Sequence, residues 1–127
     1  MFVPTDTQAL SSVVDAYVRH LNAHDVEAIV ALYAAEATVE DPVGTEPVRG
    51  PAAIRSFYSQ IEPLQLQVRR DGPVRAVGRE CAFALVGTFV QGGRRTTFCP
   101  IDTFRFDEAG KITQMRAYFG PENVTIG

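Results

Sequence analysis

Residues 97–106 have the sequence Thr-Phe-Cys-Pro-Ile-Asp-Thr-Phe-Arg-Phe, which predicts a β-strand. Side chains two positions apart on a strand point to the same face of the sheet. Asp102 therefore shares its face with three phenylalanines: Phe98, Phe104 and Phe106. A face with three aromatic rings belongs to a core or a pocket, where a carboxylic acid is unexpected.

An ionised Asp102 on that face, without partners, would lose several kcal/mol of hydration. The sequence therefore predicts a protonated carboxylic acid, which donates a hydrogen bond at neutral pH. A neutral donor that points into an apolar pocket is suited to stabilising an oxyanion. The alternative is a structural aspartate that is bound to the backbone or paired with Arg116 on the next strand.

The composition fits one globular domain that spans residues 1–127. Hydrophobic residues make up 46% of the chain, which argues against disorder, and no apolar run approaches the roughly 20 residues that span a bilayer. Residues 1–6 lack the basic and apolar regions of a signal peptide. We therefore expect a cytoplasmic protein with no membrane partner.

The charged and metal-ligating residues indicate neither a nucleic-acid partner nor a cofactor. The net charge is −3 and the basic residues are scattered, which argues against nucleic acid. Cys81 and Cys99 lack the spacing of a metal site and lie in strand-like segments, so we expect two buried free thiols. His20 and His24 are four residues apart on a predicted helix, but solvated histidines at a helix end are the expected interpretation. The sequence contains no phosphate-binding loop or nucleophile elbow, so the chemistry is expected to need no metal and no cofactor.

Helical patterns occupy the first part of the chain and strand patterns the rest. An apolar stripe predicts a helix over residues 10–21 that starts near Thr5 or Asp6, a second begins at Asp25, and a third begins at Pro51. Strands are predicted at residues 37–41, 64–68, 82–90, 97–106 and 112–119, with a hairpin turn at residues 92–93. Residues 74–77 are either a short strand or the lead into the next one. This order predicts an α+β fold in which a curved antiparallel or mixed sheet wraps around three N-terminal helices, with a pocket between the two layers.

Three tyrosines lie at positions predicted to face inward. Tyr17 is on the apolar stripe of the first helix, and Tyr33 and Tyr58 are placed on the inner faces of the second and third helices. Tyrosines at such positions are commonly core residues whose hydroxyls bind a neighbour. The functional alternative is a chain of linked phenols that strengthens a terminal donor, Tyr17, in the pocket.

Asp41 ends the predicted strand over residues 37–41 and precedes Pro42. Aspartates at strand ends commonly form turns. The functional alternative is a general base for a carbon acid, because strand parity points Asp41 to the same interior as the other candidates. Glu40 points to the opposite face and cannot work with Asp41 across one substrate.

Four segments of the chain resemble the bacterial ketosteroid isomerases (steroid Δ5-isomerases), within the nuclear-transport-factor-2-like superfamily of conical α+β domains. They are Ala-Thr-Val-Glu-Asp-Pro-Val-Gly at 37–44, Ile-Arg-Ser-Phe-Tyr at 54–58, Pro-Ile-Asp-Thr-Phe-Arg-Phe at 100–106 and Met-Arg-Ala-Tyr-Phe at 115–119. The resemblance extends from about Val13 to about Asn123. It implies a conical barrel with a deep apolar pocket that binds a hydrophobic steroid, and a homodimer.

The resemblance also implies the roles of individual residues. Asp41 becomes the catalytic base, and Tyr17 and Asp102 become two oxyanion-hole donors, a use of a neutral acid that is established in this family. Tyr33 and Tyr58 match a supporting tyrosine network. The residues implied to line the steroid pocket are Phe57, Leu85, Met115 and Phe119, of which Phe119 and Leu85 stand where relatives can have tryptophan and an aromatic residue.

The function that follows is isomerisation of a 3-oxo-Δ5-steroid to its Δ4 isomer without a cofactor. Two alternatives keep the same fold. One is a polyketide-cyclase-like or other carbon-acid enzyme with the same base and donors. The other is a non-catalytic module for ligand binding or dimerisation, which would have no use for a free base.

Overall fold

The computed structural model describes residues 6–127, which form three α-helices and one nine-stranded sheet. The helices are α1 (Thr7–Asn22), α2 (Val26–Val30) and α3 (Pro51–Ile61), and short 3-10 turns occupy Glu62–Leu64 and Pro121–Asn123. The strands are β1 (Tyr33–Glu40), β2 (Val48–Arg49), β3 (Gln67–Arg70), β4 (Arg75–Val77), β5 (Glu80–Gln91), β6 (Arg94–Phe98), β7 (Ile101–Phe106), β8 (Ile112–Tyr118) and β9 (Val124–Ile126).

The helices begin where the sequence indicates. Asp6 caps α1, because its carboxylate accepts a hydrogen bond from the amide of Ala9 at 2.9 Å, and Asp25 caps α2 in the same way. Pro51 stands in the first turn of α3, where its missing N–H is not needed. Residues 1–5, which include Thr5 and most of the segment predicted to lack a signal peptide, lie outside the described residues. None of the helices in residues 6–127 is long and apolar enough to span a membrane.

The sheet is mixed, as expected, and β5 pairs with four other strands. Strand order is β2-β1-β8-β7-β5-β6-β9, and β1 runs parallel to β8, while the other pairings of the named strands are antiparallel. The N-terminal half of β5 pairs with β4 and β7, and its C-terminal half pairs with β3 and β6. Because β2 and β9 do not pair with each other, the sheet is not closed, and the expected conical barrel is instead an open, curved sheet.

Several predicted boundaries are wrong for local reasons. Tyr33 is the first residue of β1 and not a helical residue, because α2 is only five residues long. The predicted strand over residues 97–106 is two strands, β6 and β7, separated at Cys99-Pro100. Leu64 ends a 3-10 turn, and Gln65 adopts a left-handed conformation with φ of 53°, so β3 begins only at Gln67.

Other sequence expectations also differ from the structure. The strands β2 and β9 were not predicted. His24 lies beyond the end of α1 with φ of 56°, so it does not share a helix face with His20. Both cysteines are free thiols, but only Cys81 is buried; Cys99 is exposed at the break between β6 and β7.

The concave face of the sheet packs on the helices to form one core, which includes Val14, Ile54, Phe104 and Ile112. On that face, Gly87 of β5 stands directly opposite Phe98 of β6. A Cβ atom at Gly87 would lie 2.5 Å from two ring carbons of Phe98, which is far too close for a real contact. The glycine is therefore what allows the Phe98 ring to lie across β5.

Candidate active site

Asp102 lies in β7, opposite Phe83 of β5, with its side chain 3% exposed. Its Oδ1 is the one buried side-chain nitrogen or oxygen in residues 6–127 that has no hydrogen-bond partner. Burial, with a further contribution from the charge of Asp41, raises the pKa of Asp102 well above its usual range. This direction favours the neutral acid, which is the form that the sequence predicts.

The structural alternative for Asp102, a pair with Arg116, is wrong. Arg116 points to the other face of the sheet, where its Nε donates to Glu40 Oε1 at 2.9 Å. The other carboxylate oxygen of Glu40 accepts a hydrogen bond from the amide of Gly44 at 3.0 Å. This ion pair therefore fastens the loop that follows β1 and carries Asp41, and the amide of Val43 adds a bond to the carbonyl of Ala117 at 2.8 Å.

Three buried tyrosines from three elements form a hydrogen-bonded chain. The Tyr58 hydroxyl in α3 lies 2.9 Å from that of Tyr17 in α1 and 2.6 Å from that of Tyr33 in β1. Burial holds the pKa of each phenol well above its usual value of 10.0, so all three are neutral. When Tyr33 donates to Tyr58 and Tyr58 donates to Tyr17, the Tyr17 proton is left for a ligand.

Asp41 follows the last residue of β1 and is partly buried. Burial raises its pKa to about 6. Its carboxylate is therefore mostly ionised at neutral pH, yet it is a stronger base than an exposed aspartate with a pKa near 3.9.

Four of these groups line a pocket with two adjoining parts, and Tyr33 lines neither part. The inner chamber is bordered by Tyr17, Tyr58, Asp41 and Asp102. The outer chamber has a volume of about 360 Å³ and also borders on Asp41. The two parts share further lining residues: Ile61, Leu66, Phe98 and Phe119.

Three of the four residues implied to line a steroid pocket line at least one chamber. Phe57 and Phe119 line the outer chamber, and Leu85 and Phe119 line the inner chamber. Met115 does not line either chamber, because it is only 1% exposed in the core, paired with Phe104 and Val39 on the neighbouring strands. A role for Met115 in direct substrate contact is therefore not supported by its position.

The model of the SnoaL-like domain family matches residues 14–115, which include all three candidate catalytic residues. The chain belongs to the SnoaL-like family. A curated relative, the steroid Delta-isomerase of Nocardioides simplex, is 41% identical over 99 residues, which is 78% of this chain and 80% of the relative.

Two solved structures of this fold show how closely the architecture is shared. One is the epoxide hydrolase/cyclase-like enzyme SalBIII, described in pyran ring formation in the polyether salinomycin; it has a TM-score of 0.90, 29% identity and coverage of 96% of this chain and 98% of its own. The other, Rv0760c from Mycobacterium tuberculosis, has a TM-score of 0.86, 26% identity and coverage of 98% and 100%. Membership of the SnoaL-like family and these relatives support an enzyme of the isomerase or cyclase type.

Neither His20 nor His24 lines the two chambers. His24 Nε2 lies 3.1 Å from the carbonyl oxygen of Leu66, which fixes the connection between α1 and β3. Within residues 6–127, no group of three or more histidine, cysteine, aspartate or glutamate side chains is placed to hold a metal ion.

Pocket residues that the sequence did not single out come mainly from α3 and β5–β6. Ile61, Leu66, Phe89 and Thr96 line the chambers. Strand parity was a usable signal for Thr96, because it shares a face with Phe98. Phe89 and Thr96 are also directly paired across β5 and β6.

We expect the protonation of Asp102 to appear in the pH dependence of stability. An unfolded aspartate ionises near pH 3.9, so unfolding releases the proton that the folded protein keeps on Asp102. The free energy of unfolding then falls by about 1.4 kcal/mol for each pH unit above this value, until the pKa of the folded state is reached. The asparagine in Asp102→Asn is neutral in the folded and the unfolded protein, so this variant lacks the pH-dependent contribution to the free energy of unfolding.

Urea denaturation of the wild-type protein and Asp102→Asn between pH 6.5 and 7.5 measures the effect. This window lies above the pKa of about 6 of Asp41, so that group adds little slope there. The wild-type protein should lose stability relative to the variant as the pH rises. Parallel curves would show that Asp102 is already ionised in the folded protein.

Proposed function

We propose that the protein is a cofactor-independent steroid Δ5-isomerase, which moves the double bond of a 3-oxo-Δ5-steroid to the conjugated Δ4 position. The observation that carries the proposal is the inner chamber, where an unpartnered neutral acid, Asp102, and a neutral phenol, Tyr17, border the same space as the base Asp41. The 41% identity to a steroid Delta-isomerase supports the choice of substrate class.

The reaction needs one base that serves two carbons. Asp41 removes a proton from C4, the C4–H electron pair enters the π-system, and a dienolate forms with its charge on the C3 oxygen. The protonated Asp41 then returns the proton to C6, as the electrons move back to form the C3 carbonyl and the Δ4 double bond. Atoms and charge balance, and no oxidant or reductant is consumed.

Tyr17 and Asp102 act on the oxygen at C3. Both are neutral donors, and their hydrogen bonds strengthen as the oxygen becomes negative, so they stabilise the transition state more than the bound substrate. A charged Asp102 would repel the dienolate instead. The burial that keeps the Asp102 carboxyl protonated is thus the same property that makes it a donor.

The direct test is the absorbance of the conjugated enone formed from 5-androstene-3,17-dione. The wild-type protein should produce this absorbance well above the rate in buffer, and Asp41→Asn, assayed at the same concentration, is the control for contaminating activity. A rate equal to that in buffer would reject the proposal.

We expect Tyr58→Phe to lower kcat about fivefold, with a small effect on KM. The variant removes the hydroxyl that supports Tyr17 at 2.9 Å, and a single hydrogen bond of this kind contributes about 1 kcal/mol. Tyr33→Phe, one bond further from the pocket, is the matched control and should have a smaller effect. Equal losses in the two variants would contradict a directional chain that ends at Tyr17.

A second candidate is a ring-closing enzyme, favoured by the 0.90 TM-score to an epoxide hydrolase/cyclase-like enzyme. Asp41 would then take a proton from a hydroxyl nucleophile while Asp102 donates a proton to the opening ring. This candidate uses the same residues and predicts turnover of an epoxide-bearing polyether precursor with none of the steroid. A non-catalytic module is disfavoured by the buried base and donors, which a simple binding site does not need.

We also propose that the protein acts as a cytoplasmic homodimer. Ile101 and Tyr118 are paired on the outer face of β7 and β8, where they remain 51% and 43% exposed. Two adjacent, exposed apolar side chains on a sheet face are suited to bury against a second copy. Sedimentation equilibrium gives the mass of the assembly, and a mass equal to the monomer would reject the dimer.

A further inference from the structure

Thr96 is a buried polar residue that the proposed reaction does not use. It lies in β6 with 9% of its surface exposed and lines the outer chamber. Strand parity turns its side chain to the same face as Phe98, which also lines the pocket. None of the side-chain hydrogen bonds within residues 6–127 involves its hydroxyl.

Thr96 and the oxyanion donors lie toward opposite ends of the pocket. Thr96 pairs with Phe89 of β5, whereas Asp102 pairs with Phe83 of the same strand, six residues earlier. Six residues of a strand span at most about 20 Å. Tyr17 and Asp102 line the inner chamber only, Thr96 lines the outer chamber only, and Asp41 borders both.

The outer chamber is otherwise apolar. Among its described lining residues, Asp41 and Thr96 alone carry a polar side chain. A hydroxyl on the chamber wall loses its hydrogen bond to water when an apolar ligand covers it, and a ligand oxygen that reaches it replaces that hydrogen bond. Because a hydroxyl donates and accepts, it can bind either a carbonyl or a hydroxyl group.

We propose that Thr96 is a specificity-determining residue that hydrogen-bonds an oxygen at the end of the substrate distal to the reacting carbonyl. The site then selects 3-oxo steroids that carry a carbonyl or hydroxyl oxygen on the far ring over those that end in hydrocarbon. The orientation rests on the proposed function, which places the reacting carbonyl between Tyr17 and Asp102.

The test compares ligands that differ only in the distal oxygen. Equilenin, a flat phenolic steroid with a carbonyl at C17, and its 17-deoxy counterpart give a binding pair that requires no turnover. The corresponding substrates are 5-androstene-3,17-dione and 5-androsten-3-one. Thr96→Val removes the hydroxyl and keeps the shape, and Thr97→Val, on the opposite face of the same strand, is the matched control.

The wild-type protein and Thr97→Val should bind the oxygenated member about fivefold more tightly, as expected for one hydrogen bond. Thr96→Val should bind both members equally. The values of KM should follow the same ratio while kcat stays within about twofold, because a remote contact acts equally on substrate and transition state.

The outcomes separate this inference from the proposed function. Turnover with an unchanged preference in Thr96→Val would overturn the role of Thr96 alone. A preference that disappears in Thr96→Val, without steroid turnover, would support the distal contact while rejecting the isomerase. Binding of neither ligand by the wild-type protein would overturn both.

Discussion

Asp41→Asn should lose turnover by on the order of 10²-fold or more while it keeps its fold and its affinity for steroid. The amide has nearly the shape of the carboxyl group, so the pocket is unchanged, but it cannot accept the proton from C4. Initial rates with 5-androstene-3,17-dione and a binding titration with equilenin separate chemistry from binding.

Asp71→Asn is the matched control, because it makes the same change at an exposed aspartate away from the pocket, and it should retain full activity. The measured kcat/KM of the wild-type protein should rise with pH through about 6, where Asp41 loses its proton. A near-normal rate for Asp41→Asn would show that Asp41 only shapes the turn at Pro42.

Asp102→Ala should lower kcat by about 10²- to 10³-fold, the usual effect of removing one oxyanion-hole donor. Asp102→Asn keeps a neutral donor of similar size and should retain clearly more activity than the alanine variant. If Asp102 acted instead as an anion, the two variants would be equally poor, since neither carries a charge. Circular dichroism and equilenin binding verify that both variants remain folded.

The contrast between the asparagine and alanine variants is decisive because it does not depend on an absolute rate. Because Asp102 Oδ1 has no partner among the described residues, the alanine variant breaks no hydrogen bond of this oxygen within residues 6–127. Equal and severe losses in two folded, steroid-binding variants would rule out the neutral acid as a donor.

The candidate site was largely predictable because each of its residues stands in a strong local pattern. The parity of a strand placed Asp102 among phenylalanines, and it did so even though the strand is broken at Pro100. The break preserves the parity, since Phe98 and Asp102 still line the same chamber. In the same way, the periodic apolar stripe of the first helix predicted that Tyr17 points inward.

The errors arose where tertiary pairing overrides local pattern. Tyr33 continues the helical spacing of α2, but it pairs with Ile112 of β8 and so belongs to a strand. β6 pairs with the C-terminal half of β5, and β7 pairs with its N-terminal half. The chain therefore breaks between β6 and β7, and the local spacing of residues does not encode this break. Met115 was placed in the pocket by resemblance, whereas the depth of its burial depends on packing between strands.

Gly87 shows that a position with no side chain can govern what the enzyme accepts. The Phe98 ring lies over Gly87 and borders both chambers. A methyl group at position 87 would force this ring to move away from β5. Because this ring borders both chambers, the missing side chain at position 87 sets how far a shared wall reaches into the pocket, and with it the thickness of a molecule that can reach the donors.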